Sequence, residues 1–141
     1  MKGKKPRIIL DTNVLYAGLY SSQGASFKVL QAIERDEVQI VLSTTLLFEY
    51  EDILKRHQTV LGLSDEEIQN FLDYFCLKSE HQRIYFLWRP ILSDQKDDHL
   101  FEVAVASGTD LIVTHNTRDF KATAKFGISA LTPKELMERM L

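Results

Sequence analysis

Short apolar runs, each separated from the next by a helical pattern, most limit what this chain of 141 residues can fold into. Ile8-Ile9-Leu10, Val38 to Leu42, and Leu111-Ile112-Val113 within Asp110 to Thr114 are continuous rather than alternating. That is the pattern of strands covered on both faces. Two further strands are expected at Ile84 to Trp88 and Gly127 to Leu131. Between the strands, Phe27, Leu30 and Ile33 recur at helical spacing after the loop-like Ser21-Ser22-Gln23-Gly24. Thr44 or Thr45 is expected to cap a helix reaching about Arg56, and Ser64 with Glu67 forms a capping box before Ile68, Phe71, Leu72 and Phe75. Asp97 or Asp98 is expected to open a central helix carrying Leu100, Phe101, Val103, Ala104 and Val105, ended by Gly108. Thr132-Pro133 begins the last one. Strands alternating with helices predict an α/β fold, a three-layer α/β/α sandwich around a mostly parallel sheet, with residues 1–141 as one domain.

Composition excludes several classes. With 45% hydrophobic and 26% charged residues the chain can bury a core and is too apolar for disorder. A net charge of −3 makes it no general polycation, so any nucleic-acid binding must rest on local patches such as Lys2, Lys4, Lys5 and Arg7. The single cysteine, Cys76, offers neither an internal disulfide nor a zinc cluster, which suits a reducing compartment. An apolar leader and an apolar run of membrane-spanning length are both missing, so a cytoplasmic protein without membrane contact is expected.

Parallel sheets of this kind display functional residues at the carboxyl ends of their strands. Acids fall there: Asp11 after the first strand, Glu49 one turn into the element after the second, Asp94, Asp97 and Asp98 at the central helix, and Asn116 and Asp119 after a later strand. Glu51 and Asp52 each have a base four residues on, Lys55 and Arg56, as exposed helix pairs do. Glu49 has none, and its helix neighbours Leu46 and Ile53 place it near the apolar face. Asp98 and Glu102 sit at a like-charge spacing, with Lys96 the only base nearby. Helix-end acids favour the dipole, which accounts for one or two of these but less well for four. Two carboxylates ~4 Å apart repel by ~4 kcal/mol at an effective dielectric of ~20, so a converging set calls for a cation. Oxygen donors without a His or Cys cluster suit Mg²⁺ or Mn²⁺ rather than zinc. His57, His81, His99 and His115 show no ligand spacing and are assigned no role. Phosphate-cradling glycine loops, nucleophile elbows and Cys–His pairs are lacking.

Four ordered motifs resemble those of the PIN domain family: Ile9-Leu10-Asp11-Thr12-Asn13-Val14-Leu15, Ser43 to Glu49, Asp94 to Ala104, and Ile112 to Phe120. Each is weak alone; the four in sequence cover nearly the whole chain. The likeness is strongest to small bacterial and archaeal members assigned as toxin components of toxin–antitoxin pairs. It implies a Mg²⁺- or Mn²⁺-dependent ribonuclease, with metal ligation carried by Asp11 and Asp97 and with Glu49 as the second acid. Thr12 is the hydroxyl that orients the site, Asp98 substitutes for Asp97 if the register is off by one, and Thr114 is a further secondary candidate. The fourth motif departs from the usual Thr-x-Asp and reads Thr114-His115-Asn116, with Asp119 three residues on. Asn116 is neutral but can coordinate through its carbonyl oxygen or position a water, and Asp119 can supply the missing charge from the next turn; either way a second metal position is in question.

Lys4, Lys5, Arg89, Arg118 and Lys121 are candidate contacts to an RNA substrate. The resemblance also implies a cognate antitoxin and admits a homodimer, for which the aromatic run Tyr85, Phe86 and Trp88 is a candidate, although core packing is the first expectation for such rings. The rival from another class is a non-catalytic RNA- or protein-binding module with a degenerate site. A dehalogenase-type phosphatase ranks low because it wants an acid where Asn13 stands. A receiver-type signalling domain fails for lack of a Lys after a late strand.

Overall fold

The first apolar run forms β1 (Arg7–Leu10), and everything else is arranged around it. The computed structural model describes residues 5–84 and 95–141, and of 95–98 the backbone alone. In chain order β1 is followed by α1 (Thr12–Tyr20), α2 (Ala25–Glu34), β2 (Gln39–Leu42), α3 (Thr44–Arg56), α4 (Gln58–Leu61), α5 (Asp65–Lys78) and β3 (Ser79–His81). Then come α6 (Gln95–Ser107), β4 (Leu111–Val113), a 3-10 segment (Thr117–Phe126), β5 (Ser129–Leu131) and α7 (Pro133–Arg139). The strands form one all-parallel sheet in the order β3-β2-β1-β4-β5, which confirms the expected α/β/α sandwich.

β1 lies in the middle, with Ile8 opposite Ile40 on one side and Ile9 opposite Ile112 on the other. Ile8, Ile9, Leu10, Ile40, Leu42, Ile112 and Val113 are fully buried, as continuous apolar strands require. Leu100, Phe101, Val103 and Ala104 of α6 are buried as the sequence predicts, Val105 is half-buried, and the helix packs on β1, β2 and β4. Gly108 then takes φ +69°, the left-handed conformation that closes helices at low cost for glycine.

Several expectations need correction. A strand the sequence did not signal forms at Ser79–His81; Ile84 belongs to no strand, and the rest of the expected Ile84 to Trp88 strand, 85–88 with its aromatic run, lies outside the described residues. β3 is an edge strand with polar side chains, so it carries no apolar signal. It is held by its ladder to β2 and by Arg7 of β1, whose guanidinium reaches Glu80 at 2.6 Å. Ser43, rather than Thr44 or Thr45, caps α3, its hydroxyl accepting from the Leu46 amide at 3.1 Å. α6 begins at Gln95, so Asp97 and Asp98 lie within its first turn and do not open it. Thr12–Tyr20, given no element by the periodicity argument, is a helix. The capping boxes at Ser64/Glu67 and Thr132/Glu135 are both present.

Because all five strands run the same way, Asp11, Ser43, Gln82, Thr114 and Thr132 follow them along a single edge of the sheet.

Candidate active site

Asp11 is where the backbone turns from the central strand into α1. Its amide donates to the Val113 carbonyl at 2.9 Å, extending the β1–β4 ladder by one residue. Its side chain does not cap α1 and is buried, with 9% of the residue exposed. The Thr114 hydroxyl donates to Asp11 Oδ2 at 2.7 Å, and the Thr12 hydroxyl makes a longer contact to Oδ1 at 3.4 Å. Among the described residues no Lys, Arg or His pairs with this carboxylate. A buried carboxylate normally has a cationic partner or several donors. Here hydroxyls hold it in place and leave lone pairs on both oxygens, a donor set that fits a hard divalent cation.

Thr114 is the hub of the edge. Fully buried, it gives its proton to Asp11, and its Oγ1 accepts from the Asn116 amide at 3.1 Å and, at 3.5 Å, from Asn13 Nδ2. The other end of the Asn13 amide accepts from the His115 amide at 3.4 Å. These bonds tie the turn after β4 to the start of α1, so the first and fourth motifs form one unit.

The helix that carries Glu49 is tied to the same edge by the next residue. Tyr50 is fully buried, and its hydroxyl donates to the Leu10 carbonyl at 2.5 Å, hooking α3 onto the last residue of β1. Burial first, and the Asp11 carboxylate second, push the Tyr50 phenol well above its usual value, so it remains a proton donor. Glu49 itself is half-buried and makes no hydrogen bond or ion pair among the described residues. By contrast Glu51 pairs with Lys55 at 3.5 Å, and Asp52 pairs with Arg56, as their spacing predicts. Glu102 is buried in α6 at 3% exposure.

Asn116 and Asp119 are exposed and, with Arg118, line a polar depression of about 390 Å³ just past β4. Lys121 is exposed on the same 3-10 segment. Lys5 is not brought to the site: it precedes β1 at the opposite end of the sheet, where its charge acts on Asp36. Six residues of extended chain separate it from Asp11 by roughly 20 Å. Lys4, Asp94, Arg89 and the side chains of Asp97 and Asp98 lie outside the described residues. Among the described residues no three acid, His or Cys side chains gather as a metal cluster.

Sequence reasoning missed Tyr50, Asn13 and the contact of His115 Nε2 with Ser26 Oγ at 3.1 Å. A tyrosine on an apolar helix face gives no hint that its hydroxyl ends on a strand carbonyl. Asn13, two residues beyond Asp11 in an ordered motif, was the more legible of the two.

A sequence model described as PIN domain matches residues 7–118, from the first residue of β1 to the segment after β4. The chain belongs to the PIN domain family. No curated protein matches it. Among solved structures, this PIN domain is similar to VapBC2 from Rickettsia felis, solved bound to a DNA fragment from their promoter. The TM-score is 0.62 at 17% identity, with 89% of this chain and 98% of that one covered. At that identity the likeness speaks for the fold. No described helix is long and apolar enough to cross a membrane.

Proposed function

We propose that this PIN domain is a Mg²⁺- or Mn²⁺-dependent endoribonuclease acting as the toxin of a toxin–antitoxin pair. The observation that carries the reading is Asp11: a buried carboxylate on the central strand, oriented by Thr114 and without a cationic partner among the described residues. Membership of the PIN domain family supports a nuclease. The likeness to a VapBC pair supports a cognate antitoxin as partner.

In this reading Asp11 and Asp97 hold the cation, with Asp98 adjacent in the first turn of α6. A divalent ion held there would lower the pKa of a water and offset charge on the attacked phosphate. Thr114 fixes the Asp11 rotamer, and Thr12 steadies the second oxygen. Glu49, which pairs with no base among the described residues, orients the attacking water from the α3 side. Asn116 and Asp119 bound the other side, and Arg118 and Lys121 hold the flanking phosphates. No protein nucleophile takes part.

The test is cleavage of a mixed-sequence RNA by wild type, Asp11→Asn and Asp97→Asn in Mn²⁺, Mg²⁺ or EDTA. Cutting that needs the ion and disappears in both variants is expected. A folded wild type that binds RNA but never cuts it would favour the non-catalytic module, for which the neutral, exposed Asn116 is the specific argument.

A further inference from the structure

Beside the acid site lies a groove of about 400 Å³ with largely apolar walls, formed where α1, the start of α2, the turn after β4 and the start of α7 meet. That volume falls in the ~300–1,000 Å³ range of small-molecule sites. Tyr16 and Tyr20, four apart on α1, stack on one another with centroids 5.8 Å apart and planes at 21°. Tyr16 also packs on His57 at 4.7 Å, while Tyr20, 61% exposed, lines the groove. Gly18, between them in sequence, lets α1 lie close on α2: a Cβ there would stand 2.6 Å from Leu30 and 3.0 Å from the Ser26 carbonyl. The opposite wall carries the Ser26–His115 contact, with Ser26 itself 6% exposed, and Pro133 and the Lys134 cation stand where α7 begins.

We infer that this groove receives the nucleobase next to the scissile phosphate of a single-stranded RNA, with Tyr20 as stacking platform and the Ser26–His115 pair reading the base edge. The inference rests on the nuclease reading above and adds the subsite that sets cleavage-site preference. Continuity with the acid site chooses the occupant: His115 is the residue between Thr114, which holds Asp11, and Asn116. His115 also lines both this groove and the polar depression bordered by Asn116 and Asp119, so the two are continuous, and on this inference a strand with its phosphate at Asp11 puts the neighbouring base into the groove. An aromatic face, a hydroxyl–imidazole pair and a lysine together match base, base edge and phosphate. A groove for a partner's apolar helix would need none of the polar parts.

The experiment has two readouts, for wild type and for Tyr20→Ala, Tyr20→Phe and Ser26→Ala variants matched for thermal midpoint. The first is sequencing of product ends from a randomised RNA in Mn²⁺. The second is anisotropy binding of a labelled single-stranded oligonucleotide in EDTA, which needs no catalysis. Wild type is expected to favour particular bases at one position beside the cut. Tyr20→Ala should lose about tenfold in oligonucleotide affinity and in kcat/KM, mainly through KM, with a flattened preference. Tyr20→Phe should keep wild-type affinity, and Ser26→Ala should change which base is preferred. Unchanged affinity and an unchanged cleavage profile in Tyr20→Ala and Ser26→Ala would overturn the inference and leave the groove to a protein segment. If wild type does not cut at all, the nuclease reading fails on its own. The binding comparison then decides the groove: weaker binding by Tyr20→Ala supports it, and equal binding overturns it.

Discussion

Tyr50→Phe removes one oxygen from the interior and leaves the ring where it is, edge-on to Phe75 at 5.6 Å and 79°. What is lost is the hydrogen bond to the Leu10 carbonyl, both residues being fully buried. A buried acceptor left without its donor costs about 1–2 kcal/mol. For 141 residues, an unfolding entropy near 2.1 cal/mol/K per residue turns this into a drop of about 3–7 °C in thermal midpoint. The alkaline limb of stability should change too. The folded protein keeps the Tyr50 proton well above the phenol's usual pH range, because burial and then Asp11 disfavour the phenolate. The unfolded chain releases that proton near pH ~10, so above that pH it binds fewer protons than the native state. Stability contributed by this group is therefore complete below pH ~10 and declines above it by about 1.4 kcal/mol per unit until the folded group titrates. The Tyr50→Phe variant, with no phenol to titrate at this position, lacks that slope. Calorimetry or circular dichroism melts of both proteins from pH 7 to 11 measure the two effects together. A midpoint shift under about 1 °C at pH 7, with superimposable alkaline limbs, would refute the claim that Tyr50 anchors the Asp11 strand end.

Three further outcomes follow from the same structure. Thr114→Val keeps the shape but strips the donor from a buried carboxylate, and should cost about 1.5–3 kcal/mol in denaturant melts while raising the Mn²⁺ concentration needed for half-maximal RNA cleavage. Asn116→Asp adds a negative oxygen beside the site and should lower that Mn²⁺ requirement, read from activity against free metal; a higher requirement would remove Asn116 from the site. Ser64→Ala breaks the capping box of α5, which includes none of the candidate site residues, so it should lower stability by about 1 kcal/mol and leave cleavage unchanged.

The buried parts of this fold were the legible ones. Continuous apolar runs marked β1, β2 and β4, and capping residues marked α5 and α7, because burial and unsatisfied amides leave their requirements in local sequence. β3 escaped because an edge strand of Ser79, Glu80 and His81 is stabilised by its neighbour's backbone and a distant arginine, neither visible in a local window. At the site, strand polarity placed Asp11 and Asn116 after parallel strands at one edge, and that same rule set Lys5 at the far end once the direction of β1 was applied. The Thr114 hub and the Ser26–His115 contact join residues 103 and 89 apart in sequence, so only packing reveals them.

The measurement that bears most directly on the account is Mn²⁺ binding by wild type and Asp11→Asn without RNA, followed by electron paramagnetic resonance of the free ion. Wild type should withdraw Mn²⁺ from solution at millimolar concentrations or below, and Asp11→Asn, equally folded, should withdraw far less. Equal uptake by the two proteins would mean that Asp11 does not hold the metal, and the proposed site would have to be abandoned.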